Sequence, residues 1–269
     1  MKRRSSGRKQ KKRGFFKRFP VWTLWVGGLL ATSVYAYIIY TLFVGPISFR
    51  WKALYGDVDY PKGYSIQGID ISHYQGTVDW KKLRGASIQG YPVEFVIMKA
   101  TEGNSIVDET FEENFRQAKR YNFIRGAYHF FVPSIPAEQQ AGHFIRRVKL
   151  ENGDFPPVLD IERKGLLTDG QVREQALKWL HIVERHYKVK PIIYTNFKFK
   201  LSYLNDTVFN AYPYWIAHYY VDSIRYKKPW KLWQHTDNGR VDGIEGPVDF
   251  DIYNGSMYDL RRFTIGEDK

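Results

Sequence analysis

The chain has 269 residues and no cysteine. That absence excludes structural disulfides, thiolate metal sites and a cysteine nucleophile together. A domain of roughly 200 residues is large enough to rest on its hydrophobic core instead. Acid is absent from residues 1–18, which hold ten basic side chains: Lys2, Arg3, Arg4, Arg8, Lys9, Lys11, Lys12, Arg13, Lys17 and Arg18. Taking these ten from the 41 Lys+Arg leaves 31 against 28 Asp+Glu, so the formal charge of +13 falls to +3 over the remainder. A basicity confined to one tail argues against a nucleic-acid-binding surface on the main domain. The histidines form no HxH or HExxH pair, which weakens a metal-dependent reading. His73, His129, His218 and His235 fall one per strand end and read as hydrogen-bonded rim residues. No cofactor is implied.

Charge is also absent from Val21 to Val44, VWTLWVGGLLATSVYAYIIYTLFV. A spanning helix needs roughly 20 apolar residues, and a basic flank on one side favours leaving that side in the cytoplasm. Residues 21–44 are therefore expected to form a transmembrane anchor, with residues 1–20 as a cytoplasmic tail and the bulk of the chain periplasmic or extracellular. Cleavage after Ala36 is the competing expectation, but apolar character continues eight residues beyond it, further than a signal peptide needs. Residues 45–63 mix Gly, Pro, aromatic and charged residues and read as a linker.

From residue 64 to about 265, short apolar runs alternate with helical patterns. Eight strands are expected: 65–71, 95–100, 124–131, 157–161, 191–195, 214–217, 231–235 and 248–253. Asp108 is positioned to cap a helix carrying Phe111, Phe115 and Ala118. Pro136 suits the first turn of a second helix, and Thr168 with Gln171 forms a capping box for a third. Residues 218–230 and 236–247 show no helical period. The expected fold is an α/β, TIM-like (β/α) barrel with a parallel sheet and helices depleted after strand 5.

In such a barrel the active site forms where strands end at their C-termini. Asp70, Glu102, Asp160 and Glu162 fall at such ends, and Asp249 begins the last strand, with Tyr128, Tyr194, Trp215, Tyr219 and Trp233 accompanying them. Carboxylates beside aromatic rings suit a sugar, whose C–H faces pack on rings. Asp160 and Glu162 alternate onto one strand face, with Cα atoms about 6.6 Å apart from two rises of ~3.3 Å. Acids so close, with Asp70 and Asp249 nearby, cannot all ionise cheaply. One should keep its proton near neutrality, as a general acid for glycosidic cleavage requires.

Several ordered motifs resemble the family 25 glycoside hydrolases, the lysozymes with a DxE motif. They are Gly68-Ile69-Asp70-Ile71-Ser72-His73-Tyr74-Gln75-Gly76 with Asp79-Trp80, then Phe95 to Gly103, Arg125 to Phe130, and Leu159-Asp160-Ile161-Glu162. Ile193-Tyr194-Thr195, Trp215-Ile216-Ala217, Trp233-Gln234 and Val248-Asp249-Phe250 continue the likeness over about residues 64–263. The resemblance implies a (β/α)5(β)3 barrel that cleaves the β-1,4 bond between N-acetylmuramic acid and N-acetylglucosamine in peptidoglycan. It implies Glu162 as general acid, and Asp160 as a second carboxylate that stabilises the transition state or orients the substrate's acetamido group. Asp70 and Asp249 match further catalytic carboxylates, while Lys99, Glu102, Tyr128, Tyr194, Trp215 and Gln234 are implied to bind substrate. Asp251 departs from the Asn found in many members. A metal-dependent peptidoglycan deacetylase or amidase, and a catalytically inactive wall-binding barrel, are the alternative readings.

Overall fold

The computed structural model describes residues 21–40, 60–226 and 229–266. They belong to two units, one from the N-terminal segment and one from the main domain. The first contributes helix α1, Val21–Ile39. Among the described residues, no helix is long and apolar enough to cross a membrane, so the expected spanning helix finds no support there. Its 19 residues rise about 28 Å. Gly27, Gly28, Thr32 and Ser33 dilute its apolar character, and the Thr32 hydroxyl donates back to the Gly28 carbonyl. The basic tail 1–20, residues 41–44 of the expected anchor and the linker up to residue 59 lie outside the described residues.

The second unit is a closed eight-stranded barrel. Its strands are β1 (Gln67–Ile71), β2 (Tyr91–Glu102), β3 (Ile124–Phe130), β4 (Val158–Asp160), β5 (Ile192–Asn196), β6 (Tyr214–Ala217), β7 (Leu232–Gly239) and β8 (Val248–Tyr253). Each strand from β1 to β7 pairs in parallel with the next. β8 closes the barrel antiparallel to both β7 and β1. This corrects the expectation of a wholly parallel sheet. A parallel return needs a crossover of a dozen or more residues, and the eight residues between β7 and β8 are too few.

The direction of β8 decides where its acids lie. Asp249 pairs with Asp70 across β1 and β8, so the start of β8 sits level with the C-terminal ends of the other strands. In a parallel eighth strand the same residue would lie at the opposite mouth.

Helices α2 (Trp80–Gly85), α3 (Phe111–Arg120), α4 (Ala137–Arg147) and α5 (Asp169–Tyr187) follow the first four strands. The short α6 (Phe197–Tyr203) follows β5, and α7 (Met257–Phe263) follows β8. No helix links β6 to β7 among the described residues. α3 buries Phe111, Phe115 and Ala118 as its spacing requires, and Thr168 and Gln171 cap α5 reciprocally. Asp108 does not cap α3. Its carboxylate accepts from Thr110 and from the backbone and ring of His73.

Two apolar layers result. Outward-facing strand residues such as Ile69, Val96, Met98, Leu159, Ile161 and Ile193 pack under the helices. Inward-facing Phe95, Ile97, Phe155, Val158, Ile192 and Leu232 fill the barrel's lower interior. Gly68 is dictated by that filling, because a Cβ there would meet the Phe95 ring at 2.2 Å.

Candidate active site

Above the Phe95 layer the barrel opens into a cleft of about 220 Å³. Asp70, Lys99, Tyr128, Asp160, Glu162, Tyr194, Trp215, Gln234 and Asp249 all line it. The structure thus brings together nine of the ten residues expected from the sequence. Glu102 is the exception: its carboxylate lies 2.5 Å from the Lys99 Nζ and acts on the cleft only through that lysine. Ile71, Ser72, Tyr74, Gln75, Phe130 and Tyr219 complete the wall.

The cleft's hydrogen bonds form a directional chain. Gln234 Oε1 accepts from the hydroxyls of Tyr194 at 2.7 Å and Tyr219 at 2.5 Å. Both donors occupy the amide oxygen, so its NH2 must turn the other way, and it donates to Asp70 Oδ2 at 2.6 Å. Burial raises both tyrosines well above their ordinary pKa, which keeps these hydroxyls protonated as donors. Two phenols therefore set the amide, and the amide sets the carboxylate. Asp251 lies one layer deeper, fully buried, and accepts from Trp215 Nε1 at 2.7 Å.

Five acids in one low-dielectric space oppose each other's ionisation. Burial is the largest cause for each. Asp70 is pushed up to about 6, with hydrogen bonds from Gln234 and Asp251 restraining it and the charge of Glu162 adding to it. Asp160, buried and then opposed by Glu162 and Asp70, is held well above the ordinary carboxylate range. Its Oδ1 is buried without a hydrogen-bond partner. Asp249 and Asp251 are raised well above that range too, each by burial and then by Asp70. Glu162 is raised by burial and restrained by Asn196 and by the charge of Arg163. The Asn196 amide reaches Glu162 Oε2 at 3.5 Å, while its own Oδ1 caps α6 at Phe199. Burial thus favours the protonated form of these carboxyls, the form that acid catalysis needs.

The histidines are elsewhere. His129 is in the core, bonded to Thr101 and Gln140 and pushed down to about 3 by burial. His235 is buried with the same result. Among the described residues, no group of three His, Cys, Asp or Glu side chains is placed to hold a metal ion.

The sequence model for the glycosyl hydrolases family 25 matches residues 69–244, most of the barrel. The chain belongs to this family. As a family 25 member it is a glycoside hydrolase of the lysozyme type. It is 41% identical to "Uncharacterized protein YegX" of Escherichia coli (strain K12) over 212 residues, 77% of this chain and 76% of that one. It is 32% identical to Lysozyme M1 of Streptomyces globisporus over 210 residues, 71% of this chain and 68% of that one. Among solved structures, a family 25 glycosyl hydrolase from Bacillus anthracis superposes with a TM-score of 0.70 at 28% identity, covering 77% of this chain and 97% of that one.

In and beside this family 25 cleft, sequence reasoning missed the orienting role of Tyr219 in the wall and Asn196 and Arg163 next to Glu162. Asn196 ends β5, and a polar residue closing a barrel strand is a usable signal. Arg163 and Tyr219 lie in loops, where no period marks a residue's direction.

Proposed function

We propose that this family 25 hydrolase is a muramidase that cleaves the β-1,4 bond between N-acetylmuramic acid and N-acetylglucosamine in peptidoglycan, with Glu162 as general acid. The observation that carries the reading is the convergence of Asp70, Asp160, Glu162 and Asp249 on one cleft whose burial keeps carboxyls protonated. Similarity to Lysozyme M1 supports the substrate. Glu162, like Asp249, is half-buried where Asp70 and Asp160 are buried, which suits delivery of a proton to a leaving sugar oxygen. Asp160, behind it, stabilises the oxocarbenium-like state or orients the acetamido group for internal attack. Tyr128, Tyr194, Trp215 and Gln234 shape the sugar-binding wall.

The test is incubation of the full chain with purified peptidoglycan, beside Glu162→Gln, followed by mass spectrometry of the released ends. New reducing N-acetylmuramic acid ends from the parent alone are expected. Release of peptides or acetate instead would replace this reading with an amidase or deacetylase.

The same reading includes a tether. Residues 1–20 form a cytoplasmic basic tail, residues 21–44 a single-pass anchor, residues 45–63 a linker, and the barrel of residues 64–265 works outside the cytoplasm near its own membrane. The charge-free run to Val44 and the basic flank support it. Retention of the full chain in membranes after an alkaline carbonate wash, and loss of retention on deleting residues 1–44, is the expected result. Release of the full chain by the wash would contradict it.

A further inference from the structure

Peptidoglycan carries carboxylates, and a cleft lined by acids repels them. Among the described residues Lys99 is the only Lys, Arg or His lining that cleft, and its charge is engaged by Glu102 at 2.5 Å. Lys164, in the loop after β4, is tied to Asp169 at 3.0 Å. Arg163, between Glu162 and Lys164, differs from both. Among the described residues it forms no ion pair, and it is exposed. Its guanidinium lies 5.7 Å from the centroid of the Phe130 ring. Phe130 lines the cleft and also receives Lys99 Nζ at 5.1 Å. The rim beside the DxE acids thus presents an aromatic ring beside an exposed cation that forms no ion pair, although its field reaches Glu162 and Asp160.

We infer that Arg163, seated on Phe130, recognises a free carboxylate on the O3 substituent of the muramoyl residue. The inference deepens the muramidase reading and rests on it. Muramic acid carries a lactyl ether at O3. Its carboxylate is free in peptide-free strands, and in peptide-bearing strands the stem's glutamate supplies another. Either is a planar anion matched by the planar, two-pronged guanidinium. Contact with the ring limits the guanidinium's freedom before the substrate arrives. The flanking polymer is anionic, so one unpaired cation at the rim also marks which side of the cleft the substituent takes.

The test uses the full-length protein and Arg163→Gln on three glycans. These are strands stripped of peptide, walls with a free stem-glutamate carboxylate, and the same walls with that carboxylate amidated. Reducing-end release gives kcat/KM for each. Wild type should favour a charged glycan over the amidated wall by about three- to tenfold, the scale of a partly exposed charge-assisted pair. The preference should sit in KM, and Arg163→Gln should bring the ratio close to one. A preference on peptide-free strands assigns the lactyl carboxylate, and one on stem-glutamate walls assigns the stem. Equal rates on all three by wild type, or a preference of the same size in Arg163→Gln, would overturn the inference and leave the muramidase reading intact. No reducing-end release from any glycan would overturn both.

Discussion

The interior of the barrel has two halves of opposite character. Below, Phe95, Ile97, Phe155, Val158, Ile192 and Leu232 form a dry apolar plug. Above, on the same strands and their neighbours, Asp70, Asp160 and Asp251 are buried and Asp249 is half-buried. The lower half gains stability from area removed from water. The upper half costs stability, because buried acids must hold protons or share hydrogen bonds. The plug is what permits the acids to stay: it excludes water from beneath them and so keeps their pKa values raised.

The largest effect is expected in the plug. Phe95→Ala removes a fully buried ring that packs on Gly68 and Phe155 and should cost about 3–5 kcal/mol in a denaturant titration. A cost below 1 kcal/mol would mean the plug does not carry the barrel.

Asp160→Asn should act with opposite sign on the two properties. It should lower kcat by at least about 10²-fold while making the protein more stable at alkaline pH. The sign follows from linkage: a carboxyl whose folded pKa is raised binds its proton more tightly in the fold, so stability declines as pH climbs above the unfolded value. For Asp70 that decline runs from about 4 to about 6, and Asp160 extends it higher. Thermal melts between pH 4 and 9 should show wild type losing stability across this range and Asp160→Asn losing less. Parallel curves would contradict the account.

Asp251→Asn should be mild, because burial and the neighbouring Asp70 favour the neutral form of Asp251 in the fold. The amide keeps the acceptor for Trp215 and supplies a donor toward Asp70. kcat/KM should stay within about threefold with an unmoved pH profile, since no charge is removed. A shifted profile would show that Asp251 is ionised.

Asn196→Asp is subtler still. It keeps the acceptor that caps α6 and replaces the donor to Glu162 with a charge. The Glu162 pKa should rise, so the alkaline limb of the rate profile should move to higher pH. A limb that stays in place would remove Asn196 from the positioning of Glu162.

Much of this was legible in sequence for definable reasons. The runs at 214–217 and 248–253 form strands with the expected ends, because short apolar stretches bounded by loops have few other places to go. The acids were legible because strand ends and alternation fix their mouth and face. The direction of β8 was not, since direction depends on connection geometry rather than on the strand's own residues. Asp249 was therefore assigned to the correct mouth although the sheet was expected to be parallel. Glu102 closes β2 as expected, but only the folded position of Lys99 shows that it pairs instead of lining the cleft. Asn196 and Arg163 act through a cap and a ring contact, and neither leaves a period in the chain.

The most direct measurement is the pH profile of kcat/KM on purified peptidoglycan for wild type and Glu162→Gln. The account predicts a rate that falls in wild type as pH rises through the raised Glu162 pKa, and a loss of about 10²–10⁴-fold in the variant with that limb absent. A Glu162→Gln protein that retains the wild-type rate and the same alkaline limb would place the general acid elsewhere in the cleft and contradict it.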